Sequence, residues 1–146
     1  MTPSLPGKQK GAAAIEFALV FVIFFAVLYG LVSYSLPLLM MQSFNAATAE
    51  AARQAVAVDP NAVGYPALVQ TTAKAAAQQR LGWIPMALNF QNGDITTQFT
   101  DAKVLTVTIS YPTSRLRNVL PFLVLPGIGT VPNLPDTLTS TTSMQF

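Results

Sequence analysis

The longest apolar block of the chain lies near its N-terminus and runs from the small-residue patch after Lys10 to Met41. Glu16 is the one charged residue inside this block, and the next charged residue along the chain is Glu50. The block is longer than the roughly 20 residues that cross a ~30 Å hydrocarbon core. Core helices of soluble proteins rarely stay uncharged for so long. The pattern therefore predicts a helical membrane span.

Beyond Met41 the bulky apolar residues give way to alanine, the residue with the highest helix propensity. Glu50 and Arg53 stand three residues apart, a spacing that brings opposite charges together on a helix surface. We expect the helix to continue out of the membrane until Asp59-Pro60. A single helix over residues 12–58 would be about 70 Å long, roughly twice the thickness of the hydrocarbon core.

A second helix and a hairpin are predicted next. Tyr65-Pro66 opens the helix, because Pro suits the first helical position, and Gly82 ends it. Asn92-Gly93 is a strong signal for a two-residue type I′ hairpin turn. That turn would pair residues 86–90 with residues 95–99, so that their apolar side chains share one face.

Two further strands complete the predicted sheet. Residues 104–111 alternate between apolar and polar side chains, the period of a half-buried strand, and Pro112 follows them. The Thr/Ser-rich tail from Thr137 to Phe146 has Leu138, Met144 and Phe146 in phase and suits a fourth strand. The predicted fold class is α+β: a long N-terminal helix, a short second helix, and a small antiparallel sheet of three or four strands packed on it.

A proline-rich segment separates the last two strands and is most apolar from Val119 to Ile128. It has too many prolines for a membrane helix. One interpretation is a loop that folds over the sheet and completes a thin core. The other is an exposed apolar patch that meets another subunit or lies on the membrane surface. Arg115 and Arg117 beside it suit either anionic lipid or solvent.

Composition narrows the function. Eight basic and six acidic residues give a net charge of +2, too little for a nucleic-acid surface. The chain has neither Cys nor His, which removes disulfides, the commonest general base and a leading metal ligand. Gly127-Ile128-Gly129 lacks the context of a phosphate-binding loop. We therefore expect no enzymatic activity, no cofactor or metal, and no small-molecule substrate.

The basic residues Lys8 and Lys10 precede the span and favour a cytoplasmic N-terminus. Pro3, Pro6 and Gly7 are expected to keep the first 11 residues from forming a helix. A secretory signal peptide has a similar start, but its apolar region would be only about 7–15 residues long. The predicted organisation is a leader over residues 1–11, a membrane-spanning and extended helix over 12–58, and an outer α+β domain over 59–146.

The residues around the start of the span resemble a known cleavage site. Gly11, four small or apolar residues, Glu16 and the aromatic Phe17 look like the prepilin-peptidase site of Flp/Tad pilins. The continuation AAAIEFALVF and the later AATAEAAR resemble more narrowly the TadE-like pseudopilins of tight-adherence pilus systems. The resemblance implies cleavage between Gly11 and Ala12 by a membrane prepilin peptidase.

Cleavage would give Glu16 a partner. It creates an α-amino group on Ala12, largely cationic near neutral pH because the ordinary pKa of such a group is about 7.7–8.0. Glu16 of one subunit could then pair with the Ala12 amine of a neighbour in a bundle of parallel helices, which would also fix their axial register. The alternative is that Glu16 complements the positive end of its own helix.

The resemblance implies a minor pilin or pseudopilin that takes part in assembly or priming of a Tad/Flp type IV pilus for adhesion and biofilm formation. Its partners would be the membrane, the prepilin peptidase, other Tad pilins and the inner-membrane assembly platform. The expected location is the bacterial inner membrane, with the outer domain periplasmic or carried into the surface pilus. The alternatives are a TadF-like protein and an unprocessed single-pass protein whose outer domain scaffolds the platform or binds an envelope partner.

Overall fold

The computed structural model describes residues 9–125, 127 and 129–146. The described residues form an α+β structure, as predicted. It contains two helices, five strands in two antiparallel sheets, and three short 3-10 turns. The helices and strands are α1 (Gln9–Val56), α2 (Tyr65–Arg80), β1 (Ile95–Phe99), β2 (Val104–Pro112), β3 (Leu123–Leu125), β4 (Gly129–Val131) and β5 (Thr137–Gln145).

Helix α1 is the predicted long helix, and it is continuous through Pro37 to its end at Val56. The expectation that the whole leader is non-helical is wrong in its last three residues, because α1 already begins at Gln9. Pro3, Pro6 and Gly7 all precede Lys8, and Gly11 only weakens a helix at its end, so Gln9, Lys10 and Gly11 can join α1. Residues 1–8 lie outside the described part of the chain.

Helix α2 begins and packs as its sequence predicts. Gly64 precedes it with a φ of 76°, a left-handed conformation that suits glycine, and Pro66 occupies its first turn. Its buried residues are mainly alanines, and so are those of the facing part of α1. Small side chains let two helices approach closely, which explains the alanine composition of both. The buried alanines are Ala47, Ala51, Ala52 and Ala55 of α1 and Ala73, Ala76 and Ala77 of α2.

The main sheet has three strands in the order β1-β2-β5, all antiparallel. Strand β2 is central, and its alternate residues Leu105, Val107, Ile109 and Tyr111 are fully buried, as the alternation predicted. The C-terminal tail forms the predicted additional strand, β5, which pairs with β2 from Pro112↔Thr137 to Val104↔Gln145. The buried face of this sheet packs on α1 and α2.

The hairpin predicted around Asn92-Gly93 is wrong. Residues 86–88 and 92–94 form 3-10 turns, and β1 pairs with β2, Ile95 facing Ile109, instead of with residues 86–90. The cause is Asp94, whose carboxylate accepts hydrogen bonds from the Gln91 backbone N–H (2.8 Å) and from Arg115 (2.7 Å). These bonds hold the segment in a tight 3-10 turn, so residues 86–90 do not run back beside β1.

An aromatic cluster joins α1 to the sheet. The ring centroid of Phe44 lies 5.8 Å from that of Phe90 and 6.2 Å from that of Tyr111. The Tyr111 hydroxyl donates a 2.6 Å hydrogen bond to the carbonyl of Leu88, and burial raises the pKa of this phenol. Leu88 lies in a segment that pairs with no strand, and this hydrogen bond satisfies its backbone carbonyl.

Hydroxyl groups make a second connection between α1 and the sheet. Thr48 is fully buried, and its Oγ1 lies 3.2 Å from the Oγ of Ser140 on β5 and accepts a 2.9 Å hydrogen bond from Thr142. Ser140 in turn donates to the side-chain oxygen of Asn45 at 2.7 Å. Buried polar groups are stable only when hydrogen-bonded, so this network fixes the register of β5 against α1.

One part of the proline-rich segment covers the core and another part is an exposed apolar patch, so each of the two interpretations holds for different residues. Residues Thr113–Asn118 form a 3-10 turn, and β3 and β4 form a two-stranded antiparallel hairpin. Leu120 and Phe122 pack against the core, as expected of a covering loop. Val119, Leu123 and Val124 are instead 42%, 43% and 76% exposed, as expected of an apolar patch. Ile128, at the end of the predicted patch, lies outside the described residues.

The close contact between the helices makes Ala51 sensitive to size. We expect Ala51→Leu to lower the free energy of unfolding by about 1–3 kcal/mol, because added methyl groups overpack a full interface. The control is Ala49→Leu on an exposed face of the same helix. Urea unfolding of the full chain in detergent micelles measures both. Equal effects of the two substitutions would contradict the packing described here.

The turn around Asp94 depends on a carboxylate whose side chain is only 8% exposed. We expect Asp94→Ala to lower the free energy of unfolding by about 1–3 kcal/mol, because the Gln91 N–H and the Arg115 guanidinium both lose their acceptor. Asp101→Ala in an exposed loop is the control, with an expected effect within about 0.5 kcal/mol. The same unfolding assay applies. An Asp94→Ala variant as stable as the control would refute the role of this carboxylate.

Candidate functional site

The four residues of the predicted cleavage site lie in the first turns of α1. Gly11, Ala12, Glu16 and Phe17 are all helical and all exposed. Helix geometry places Glu16 one turn beyond Ala12 on the same side of the helix, about 6 Å along the axis. A Cβ added at Gly11 would meet no atom within 4 Å, so the fold itself does not require glycine there. Of the predicted basic residues, Lys10 is in the helix and Lys8 lies outside the described range.

Phe17 begins a row of aromatic rings along the span. Its ring centroid lies 5.8 Å from that of Phe21, which in turn lies 4.5 Å from that of Phe25. The three residues are spaced four apart and are 69%, 47% and 49% exposed. The row is therefore an apolar ridge on one side of the helix, open to lipid or to a neighbouring helix.

The outer domain leaves the first part of α1 uncovered. Residues 11–28 are all exposed, and coverage begins at Tyr29 and Gly30. Among the described residues, α1 is the one helix long and apolar enough to cross a membrane, with a mean hydropathy of 2.6 in its most apolar stretch. Eighteen residues of helix extend about 27 Å, close to the ~30 Å of a hydrocarbon core. Length and composition thus support the predicted single span.

Two tyrosines mark the place where α1 meets the rest of the molecule. The Tyr29 hydroxyl donates to the backbone carbonyl of Pro121, and the hydroxyl oxygen of Tyr34 accepts a 2.8 Å hydrogen bond from the Asn133 N–H. Ser33, between them, is buried and donates to the carbonyl of Gly30 at 3.0 Å. Sequence reasoning missed these contacts. The one available signal was the presence of two tyrosines near the end of an apolar run, where aromatic residues favour the membrane interface.

Glu50 forms the predicted ion pair in the outer half of α1. Its carboxylate accepts hydrogen bonds from Arg53 Nη2 (2.7 Å), Arg53 Nε (2.9 Å) and Gln54 (2.7 Å). The hydrogen bonds from Arg53, and then that from Gln54, lower the pKa of Glu50 to about 2. With Arg80 of α2 these residues line an open cleft of about 470 Å³. The pair is solvent-exposed, so its contribution to stability is small.

An apolar groove lies beside the tyrosine contacts. It has a volume of about 390 Å³ and opens between α1 and the start of β5. Tyr34, Pro37 and Leu38 form one wall, and Leu134, Pro135 and Leu138 form the other. The groove, the uncovered span and the β3–β4 hairpin are adjacent. Exposed apolar surface is therefore concentrated around the N-terminal part of α1.

One part of the chain is similar to a known protein family. It contains the predicted cleavage site, the candidate span and the Glu50–Arg53 ion pair. Residues 11–53 match the family model described as TadE-like protein. This part of the chain is similar to the TadE-like family. The match confirms the resemblance read from the residues, and it suggests a protein associated with the Tad pilus. No curated protein and no solved structure is significantly similar to the chain.

The TadE-like segment begins at Gly11 and ends at Arg53, within the last turn of α1. It includes Glu16, the aromatic ridge, both tyrosines and the buried alanines of α1 up to Ala52, but not Ala55. It stops before α2 and the sheets. The similarity to the TadE-like family is therefore confined to α1, and it does not include α2 or the sheets.

Proposed function

We propose that the chain is a minor pilin or pseudopilin of the Tad/Flp pilus system, processed by a prepilin peptidase and active in assembly or priming of a pilus for adhesion. The observation that carries the proposal is the TadE-like match, which starts at Gly11 and covers a helix whose residues 11–28 are all exposed. Such a helix suits packing against the helices of other subunits. The role is structural rather than enzymatic, and the outer domain makes the chain larger than a major Flp pilin.

The orientation follows from charge. Lys8 and Lys10 on the leader side of the span favour a cytoplasmic N-terminus by the positive-inside rule. The outer domain would then be periplasmic, anchored in the inner membrane until its release into the pilus. The prepilin peptidase, other Tad pilins and the assembly platform are the partners proposed here.

Cleavage needs a local change in α1. The Gly11–Ala12 bond lies within the helix, and a protease binds its substrate with an extended backbone. Only Gln9 and Lys10 precede Gly11 in the helix, and terminal turns fray readily. Opening the helix at this bond costs little because Gly11 and Ala12 are both exposed. Gly11 supports close approach of a peptidase, since it has no Cβ.

The cleavage proposal predicts the mass of the purified protein. Coexpressed with its prepilin peptidase, the chain should lack residues 1–11 and begin at Ala12. Gly11→Leu should keep the full leader, because the larger side chain obstructs the active site while leaving the exposed helix intact. Ala14→Leu places the same side chain three residues later and should be cut normally. Intact-protein mass spectrometry distinguishes these results, and a Gly11→Leu variant of shortened mass would refute the proposal.

Glu16 would then act in assembly. It lies about 6 Å along the axis from the Ala12 amine of its own chain, and glutamate side chains point toward the helix N-terminus. A neighbouring helix that places its Ala12 amine against this carboxylate must therefore start at nearly the same height. The pairing removes the cost of a carboxylate and of an ammonium group near lipid, and a slip of one turn restores both costs.

The assembly role is tested with Glu16→Ala. We expect normal cleavage and a roughly tenfold or greater loss of copurification with other pilins, since 1.4 kcal/mol of lost pairing already corresponds to tenfold. Glu50→Ala is the control, because it removes a carboxylate from the same helix outside the span. Both are measured by pull-down from membranes after crosslinking. Undiminished recovery of partners with Glu16→Ala would show that Glu16 only complements its own helix.

A second function is an unprocessed single-pass protein that scaffolds the assembly platform or binds an envelope partner. The observation in its favour is that α1 begins at Gln9, ahead of Gly11, so the bond to be cut starts in a folded helix. An intact leader on protein isolated beside an active peptidase would support this function and contradict the first.

A further inference from the structure

The β3–β4 hairpin carries exposed apolar side chains with no charged residue among them. The apolar hairpin is defined as the described residues 119–125, 127 and 129–131, and the chain has no charged residue between Arg117 and Asp136. Val124 on β3 is 76% exposed, and Val119 and Leu123 are each more than 40% exposed. Exposed hairpins of soluble domains usually carry charges that keep them in solution. This one has the composition of a surface that is covered.

The base of the apolar hairpin is attached to a defined level of α1. Pro121, just before β3, accepts the hydrogen bond of Tyr29, and Asn133, just after β4, donates to Tyr34. The two attachment points are five residues apart on the helix, about 7.5 Å along its axis. Residues 11–28 stay exposed, so the hairpin does not lie along the uncovered part of the helix.

The edge of the bilayer falls at the same level. A hydrocarbon core of ~30 Å takes up about 20 helical residues. Counted from Ala12, next to the basic leader, those residues end near Leu31, between Tyr29 and Tyr34. A tilt of about 20° moves this limit by only one or two residues. The uncovered length of about 27 Å is slightly shorter than the core, so the outer domain must touch the membrane surface.

We propose that the apolar hairpin inserts into the interface of the bilayer from which α1 emerges and forms a second membrane contact beside the span. Val119, Leu123 and Val124 would enter the boundary between headgroups and acyl chains. Arg117 is exposed at the start of the hairpin, with its guanidinium 5.0 Å from the centre of the Phe122 ring. An exposed arginine whose guanidinium lies over an aromatic ring at this depth suits lipid phosphates.

The occupant of this surface is lipid rather than another protein chain because of its position. The hairpin is adjacent to the span at the height where the bilayer ends, so lipid reaches it in every copy of the protein, whether or not other subunits are present. The proposal requires only that α1 crosses a bilayer, and it holds for both the processed and the unprocessed protein.

The test measures the depth of a probe on the hairpin. The native chain has no cysteine, so Val124→Cys carries a nitroxide label at one position only. Val63→Cys is the matched control, because Val63 is 99% exposed and follows the far end of α1. The full chain is reconstituted at high lipid-to-protein ratio into phosphatidylglycerol and phosphatidylcholine vesicles. Electron paramagnetic resonance then compares collisions with oxygen, which concentrates in lipid, and with a water-soluble nickel chelate.

Insertion predicts that the label at position 124 collides more often with oxygen than with the nickel chelate, and that the label at position 63 shows the reverse. Equal exposure of both labels to the nickel chelate would overturn the proposal. Protection at position 124 that appears only as the protein density in the vesicles rises would also overturn it, because a second copy would then be the occupant.

Discussion

One helix is both the candidate membrane span and the central element of the outer domain, and the rest of the structure depends on this sharing. The lower residues of α1 are exposed on all sides, whereas from Ser33 to Ala55 its buried residues face α2 and the sheet. No linker separates the two parts. The outer domain has no complete core without α1, since Met40 and Phe44 are among its largest buried side chains.

The outer half of α1 combines three kinds of contact on different sides. Alanines allow α2 to approach closely, Phe44 joins the aromatic cluster with Phe90 and Tyr111, and Thr48 takes part in the hydroxyl network with β5. A small domain without disulfides needs such complementary packing, because its core is too thin to be held by apolar area alone. The hydroxyl network adds specificity, since a shift of β5 by one residue would turn Ser140 and Thr142 to the opposite face of the sheet and leave the buried Thr48 without these partners.

Local patterns predicted much of the fold and little of the way its parts meet. The long helix, α2, β2 and β5 were predictable because composition and period determine them over neighbouring residues. The hairpin at Asn92-Gly93 was wrong because the turn signal competes with Asp94, whose partner Arg115 is 21 residues away. A sequence pattern contains no information about such a distant hydrogen bond, and here that bond decides the local structure.

The candidate site likewise has features that local sequence patterns predicted and features that they did not. The motif from Gly11 to Phe17 was recognisable because its residues are adjacent, and the family match includes it. The attachment of the proline-rich segment to Tyr29 and Tyr34 could not be predicted, because these contacts join residues more than 90 positions apart. The segment therefore had two open interpretations, and the structure divides it between them.

The two tyrosine contacts also have a rotational consequence. Residues five positions apart on a helix point in directions that differ by about 140°, so Tyr29 and Tyr34 hold the outer domain from two different sides of the same rod. The azimuth of the domain about α1 is thereby set. If α1 rotated about its axis in the membrane, the whole domain would rotate with it. The direction in which Glu16 points would therefore determine which side of the domain an adjacent molecule contacts.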